Sequence, residues 1–270
     1  MKQVQEYLLA DAEVASLKWS KLWETRADRT RLLLVAYMGF VTQMCGNALI
    51  SYYLTIILDT IGIKDTLHQT LVNGILQIYN FVIAISGALM VERVGRRRLW
   101  LFAISIMLIS FILWTICSAL FAQSGNSNHA LAVSVLVFIF AFQLGYAFGI
   151  TPLAFSYPAE ILPFHARQKA MGLLIMCQNA ALIYNNMVNP IAIDAIGWKY
   201  YLVFIAVLAQ WLVVAYLFFP ETKGYSLEEL SDLFNRPIMQ LRNHPQFLVQ
   251  EVQVDEDNKN TTIVTQHIES

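Results

Sequence analysis

The chain has 270 residues, 57% of them hydrophobic and only 14% charged, with a formal net charge of -1. A soluble domain carries about a quarter charged residues, so this composition excludes a water-covered globule, and a net charge near zero excludes a global pull toward nucleic acid or anionic surfaces. Cys45, Cys117 and Cys177 all lie in apolar runs, where a thiol packs as a small hydrophobe. No Cys or His cluster has ligand spacing, so neither a metal nor another cofactor is expected.

In chain order, residues 1–30 are polar and of mixed charge, without the layout of a signal peptide. Six runs then follow: Leu32–Leu58, Leu67–Val91, Leu99–Ala122, Leu131–Tyr157, Ala170–Ile193 and Tyr200–Phe219. None contains Asp, Glu, Lys or Arg, and each is long enough to cross a hydrocarbon core that takes roughly 20 apolar residues. The reading is therefore an all-α integral membrane protein with six transmembrane helices within 31–219. The fourth run carries "YAFGITPLAF", whose Gly149 and Pro152 should interrupt the helical ladder. Residues 220–270 form a polar tail. In it Ser226 and Glu229 make a capping box for a short helix, "DEDNKNTT" has the composition of a disordered segment, and Asn260 heads a formal glycosylation sequon.

With six spans both termini share one side. That side receives every Lys and Arg of the chain except Lys64 and Lys199, so the positive-inside rule makes both termini cytoplasmic. The densest basic stretch is "VERVGRRRLW" (91–100), which falls in the tight turn between the second and third spans. Topological anchoring alone explains its arginines, but not Glu92 or Gly95.

Uncharged polar residues recur inside the spans. Asn73, Gln77 and Asn80 share one face of the second, and Gln178, Asn185 and Asn189 share a face of the fifth, with Asn179 and Asn186 beside them. Gln43 and Asn47 stand four residues apart in the first. Intramembrane carboxamides can simply hold helices together. Three striped helices instead suit a cavity lined by donors and acceptors but no charge, whose natural occupant is an uncharged polyol.

Three motifs carry a family resemblance. "VERVGRRRL" resembles the acidic-Arg-x-Gly-Arg-Arg loop of the sugar porters of the major facilitator superfamily. "YPAEILPFHARQKAMG" (157–172) resembles the stretch after that family's tenth helix, and "PETKGYSLEEL" (220–230) the signature after its twelfth. All three occur in the right order, each at the cytoplasmic end of a span. The resemblance covers about residues 15–235 and identifies the six spans with helices 7–12, the C-terminal half of a twelve-helix transporter. "QMCGNALISYYL" (43–54) and "NPIAIDAIGWKYYLVF" (189–204) look most like the fungal lactose- and cellodextrin-permease branch. The seventh-helix pattern Q-Q-x-x-G-x-N is altered here: Thr42 stands at the first Gln and Asn47 falls one place early.

The resemblance implies a plasma-membrane, multi-pass transporter of mono- or disaccharides that works by alternating access. Gln43, Asn47, Asn80, Phe155 and Gln178 would bind substrate, with Phe155 where many relatives place a stacking tryptophan. Tyr52 and Tyr53 would close over the sugar from outside. Glu92, Arg93, Arg96, Arg97, Glu160, Arg167 and Glu221 would form a gating network on the cytoplasmic face. The implied partners are a sugar, the lipid bilayer and an N-terminal six-helix half missing from this sequence, so that the chain is expected to be a truncated product or an incomplete gene product. In a proton symporter, the coupling carboxylate would lie in that other half, because no span here holds one. A non-transporting sugar receptor of the same fold remains the alternative. No nucleophile–base pair points to an enzyme.

Overall fold

The structure, a computed structural model, describes Trp19, residues 23–60, 64–124 and 129–225, together with Leu230 and Phe234. The residues of the tail capping box, the acidic run and the Asn260 sequon lie outside this set, as does the side chain of Tyr53.

Helix α1 (Arg26–Met44) starts at Thr25, whose Oγ1 accepts the Asp28 N–H at 3.1 Å and donates to the Asp28 carboxylate at 2.6 Å. That reciprocal pair satisfies a donor the helix start leaves open and sets a negative charge on the positive end of its dipole. The helix stops at Cys45, because Gly46 turns the backbone to φ +98° with the Phe111 ring 2.6 Å from where a Cβ would stand. Helix α2 (Asn47–Thr60) restarts from there, its Leu49 and Ile50 N–H groups both donating to the Gly46 carbonyl. The first expected span is thus two helices, not one continuous rod. The i, i+4 spacing of Gln43 and Asn47 does not place them on a common helical face, since the break falls between them.

Helix α3 (Thr66–Val94) is capped by Asp65, which accepts from the Leu67 N–H at 3.3 Å and pairs with His68. The His68 and Leu67 bonds hold the Asp65 carboxyl below its ordinary range. Gln69 donates to Asp59 at 2.7 Å and ties the end of α2 to the start of α3. Gly95, at φ +97°, ends α3 and opens α4 (Arg96–Gln123). Helix α5 (His129–Gly145) passes into a π-helical turn, Tyr146–Ile150, and then α6 (Thr151–Ile161). After Pro163, α7 (Phe164–Ile196) runs through an internal Pro190 to a 3-10 turn, Gly197–Tyr200, and α8 (Tyr201–Phe218) follows.

Regular structure among the described residues is entirely helical. Four stretches are long and apolar enough to cross a membrane: Thr66–Val94, Arg96–Gln123, Ala130–Ile161 and Ala166–Phe218. The fourth contains two of the expected spans, joined through the turn at Gly197. The core lies where α4 packs on α5 and α8, around the fully buried Trp100, Phe111, Trp114, Phe142, Phe204 and Trp211. Helix α1 packs on α7, and α3 lies across the π-helical turn. Outside this core the surface is apolar: Ile75, Ile78, Phe81, Val82 and Leu89 of α3 are each more than half exposed. Such a surface is solvated by lipid or by further apolar helices, not by water.

Candidate functional site

Two polar constellations stand out, one at the end where α3 meets α4 and one among the helices. The first is assembled from the chain end after α8. Trp100 packs edge-on to Trp211 and Phe219, both at 5.5 Å, and Tyr157 stacks on Phe219 at 5.5 Å. The Tyr157 hydroxyl donates to the Pro220 carbonyl at 2.9 Å, which turns Glu221 back toward the start of α4. There its carboxylate accepts the backbone N–H of Arg96 at 2.8 Å and of Arg97 at 3.2 Å, as well as those of Thr222 and Lys223, both at 3.1 Å. Glu221 is therefore the cap that Gly95, having no side chain, cannot provide for α4. Lys223 donates its Nζ to the Arg93 carbonyl at 2.8 Å in the last turn of α3. One short segment thus sets an anion on a helix N-terminus and a cation on a helix C-terminus, both favourable to the dipoles.

The side chains of the turn complete the cluster. Arg96 forks onto Glu160 with contacts of 3.0, 3.1 and 3.2 Å, and the Thr222 hydroxyl donates to the same carboxylate at 2.5 Å. Arg97 donates to the Tyr216 carbonyl at 2.7 Å and lies 5.7 Å from the Tyr216 ring centroid. Of the seven residues expected to form a network, the structure brings together Arg96, Arg97, Glu160 and Glu221. The Glu92 and Arg93 side chains are exposed and make no hydrogen bond with any described residue. Arg167 reaches only the Leu162 carbonyl, at 3.4 Å. The reason is helical phase: Glu92 and Arg93 precede the Gly95 reversal and stand on the outer side of α3. Thr222, which the sequence reading left out, joins through the turn after α8.

The second constellation is a cavity of about 350 Å³, near the small end of the roughly 300–1,000 Å³ range of small-molecule sites. Helix α2 contributes Asn47 and Ser51, one turn apart. Helix α3 contributes Gln77, Asn80, Phe81 and Ala84, at i, i+3, i+4 and i+7 on a single face. Gln143 and Tyr146 come from α5 and the π turn, with Ala147, and Thr151 from the start of α6. In an uninterrupted α-helix the next position on the face of Gln143 and Ala147 would be Ile150. The π turn inserts one residue, so Thr151 takes that place and Ile150 is buried at 0% exposure. Pro152 has no N–H to give the Phe148 carbonyl. That carbonyl faces Gly87 of α3 so closely that a Cβ there would stand 1.9 Å from its oxygen.

Among the described residues, no Asp, Glu, Lys or Arg lines the cavity. The Asn47 carboxamide meets the Tyr146 hydroxyl, Gln77 donates to Asn73 at 3.4 Å, and Asn80 Oδ1 and Gln143 Oε1 are buried without a partner. Of the expected substrate residues, Asn47 and Asn80 line this space, and Gln43, Phe155 and Gln178 do not. Gln43 instead accepts from Asn185 through its backbone carbonyl at 2.9 Å, Phe155 is 50% exposed and Gln178 is half-buried. The outer-gate candidate Tyr52 is 57% exposed. In the fifth-span stripe, Asn185 and Asn189 are wholly buried. Asn189 accepts from Tyr200 at 2.8 Å, so these two amides join α7 to its neighbours and do not face the cavity. The sequence reading missed Gln143, Tyr146 and Phe81 as lining residues. Gln143 was legible as a lone carboxamide inside an apolar run; it was passed over because it belongs to no stripe.

A family profile described as sugar (and other) transporter matches residues 1–234. Among curated proteins, an MFS-type transporter of Aspergillus oryzae is 28% identical over 81% of this chain and 41% of its own length. A low-affinity glucose transporter of Saccharomyces cerevisiae is 25% identical over 87% of the chain and 41% of its own length. A facilitated glucose transporter, member 2 of solute carrier family 2, of Gallus gallus is 27% identical, with coverages of 87% and 44%. The chain therefore spans about two fifths of the length of the relatives it matches. A crystal structure of a double-tryptophan mutant of XylE superposes with a TM-score of 0.68 at 20% identity, covering 76% of this chain and 43% of that one. At that identity the likeness is one of fold.

Proposed function

We propose that this chain, which belongs to the sugar (and other) transporter family, forms helices 7–12 of a transporter that carries an uncharged sugar through the membrane by alternating access. The observation that carries the reading is the cavity: carboxamides, hydroxyls and two aromatic rings, with no ionised side chain among the described lining residues, inside an otherwise apolar multi-pass fold. An ionic substrate would need a counter-charge there. A sugar needs mixed donors and acceptors and an apolar surface for its ring.

In this reading Asn47 and Asn80 contact substrate. Gln43, Phe155 and Gln178 complete the site against a first six-helix half, and Tyr52 and Tyr53 close it from outside. The cluster of Arg96, Arg97, Glu160 and Glu221 stabilises the cytoplasmically closed form, while the exposed Glu92 and Arg93 and the half-buried Arg167 find partners on the other half. Both termini are cytoplasmic, the membrane is the plasma membrane, and the sequence stretches around Gln43 and Asn189 favour the lactose- and cellodextrin-permease branch. A proton-coupled cycle would take its titrating carboxylate from the first half.

The test is equilibrium binding of labelled hexoses, a disaccharide, an amino acid and a carboxylate to the purified chain in lipid nanodiscs. Saturable binding confined to the sugars is expected. Preference for a charged solute would overturn the reading.

A further inference from the structure

We infer that Gln143 is a ligand-selecting residue of the cavity: its carboxamide pairs with two adjacent hydroxyls, as donor to one and acceptor from the other, and so sets which ring positions must carry a hydroxyl. The inference rests on the sugar-transport reading and names a contact that neither the family motifs nor the striped helices indicate.

Burial and the fate of the other amides carry the argument. Gln143 is 2% exposed and makes no hydrogen bond with any described residue. Each of the other buried carboxamides makes at least one bond: Gln69 on Asp59, Asn185 on the Gln43 carbonyl and Asn189 on the Tyr200 hydroxyl, with Asn185 Oδ1 and Asn189 Nδ2 left open. Even the more accessible Gln210 accepts from Tyr37 at 3.0 Å. An amide kept for helix association would show such a bond. Gln143 shows none, although leaving a buried amide unpaired is costly, and it lines the cavity together with Asn80, whose Oδ1 is equally unpartnered. The two sit on different helices, α5 and α3, so the cavity is bordered on two sides by an amide whose buried oxygen lacks a partner. Among the described residues no charged side chain lines the cavity, so this wall offers an ion no counter-charge. Ala147, one turn after Gln143 on the same face, is small and leaves space for a ring.

The test uses the full 270-residue chain in lipid nanodiscs, with tritiated glucose and galactose as probes and the monodeoxy form of each as unlabelled competitors. The wild type should bind at least one hexose and lose about tenfold in affinity for one deoxy analogue, or for two at adjacent ring positions, the scale of one hydrogen bond. Gln143→Leu should bind the parent hexose about tenfold more weakly and no longer distinguish it from that analogue. Gln143→Asn should retain part of the discrimination. The melting temperature of Gln143→Leu should equal or exceed that of the wild type, because no protein hydrogen bond is lost.

If Gln143→Leu keeps the wild-type deoxy pattern, or melts well below the wild type, the inference fails while the sugar reading stands. If the wild type binds neither hexose, both fail.

Discussion

At Gly95 two constraints coincide. Its φ of +97° is unfavourable for any residue with a Cβ, and that Cβ would stand 2.8 Å from Glu221 Oε2. Gly95→Ala should therefore cost more than the usual ~1 kcal/mol for a left-handed position, because it also dislodges the cap of α4. Gly74, in the interior of α3 with nothing within 4 Å, supplies the control: Gly74→Ala should be neutral or stabilising by ~0.5–1 kcal/mol. Thermal melts of both variants in detergent check the contrast, and equal shifts would contradict it. Glu221→Gln removes the charge from an N-terminus where four backbone N–H groups converge. A loss of about 1–2 kcal/mol is expected, read as a lower melting temperature.

Among the elements, the π turn and α3 act as a pair. The turn re-phases the helix so that Thr151 reaches the cavity, and Pro152 leaves the Phe148 carbonyl free to receive Gly87 at close range. Gly87→Ala places a methyl 1.9 Å from that oxygen, so α3 must move away from the turn. The overpacking cost is about 1–3 kcal/mol. Asn80 and Gln143, on the two separated elements, would both lose register with a ligand. Sugar affinity should fall together with the melting temperature, whereas Gly172→Ala, on α7 in open space, should alter neither. A Gly87→Ala protein with unchanged affinity would show that the cavity does not depend on this contact.

For the molecule as a whole, the cavity and the Arg96–Glu160 cluster share no residue. On the proposed function, a hydrocarbon core near 30 Å would put a mid-membrane sugar about 15 Å from the cytoplasmic boundary. In a protein that also contains the first half, Arg96→Ala with Arg97→Ala should lower maximal uptake and leave KM nearly unchanged, since in the proposed role the pair Arg96–Glu160 biases a conformation, and neither residue lines the cavity. Asn80→Ala should raise KM by the worth of one hydrogen bond, about 0.5–1.5 kcal/mol. Uptake kinetics normalised to surface protein separate the two; a KM rise in the arginine variant would end the gating role. The chain by itself should insert with both termini cytoplasmic, measured by labelling of cysteines added at each end, and should give no saturable sugar uptake in proteoliposomes.

The helical membrane fold was legible in the sequence because span formation depends on the length and apolarity of each run. Six uncharged runs sufficed for an all-helical membrane fold, and the Gly149–Pro152 pair announced the irregular turn that the structure contains. The Arg96–Glu160 and Glu221 contacts followed from motifs at the ends of spans. What the sequence did not determine was the phase of each helix. Gly46 breaks the first span and separates Gln43 from Asn47; the π turn shifts the fourth by one residue, presenting Thr151 and not Ile150. Stripes read at 3.6 residues per turn hold only within uninterrupted helices, so Asn73, Gln77 and Asn80 kept their common face on α3 while the amides of α7 were divided. Whether a buried amide meets a partner, as Asn185 and Asn189 do, or borders a cavity without one, as Gln143 does, depends on which helix packs beside it. That is decided by contacts between residues far apart in the chain, and only the tertiary structure contains them.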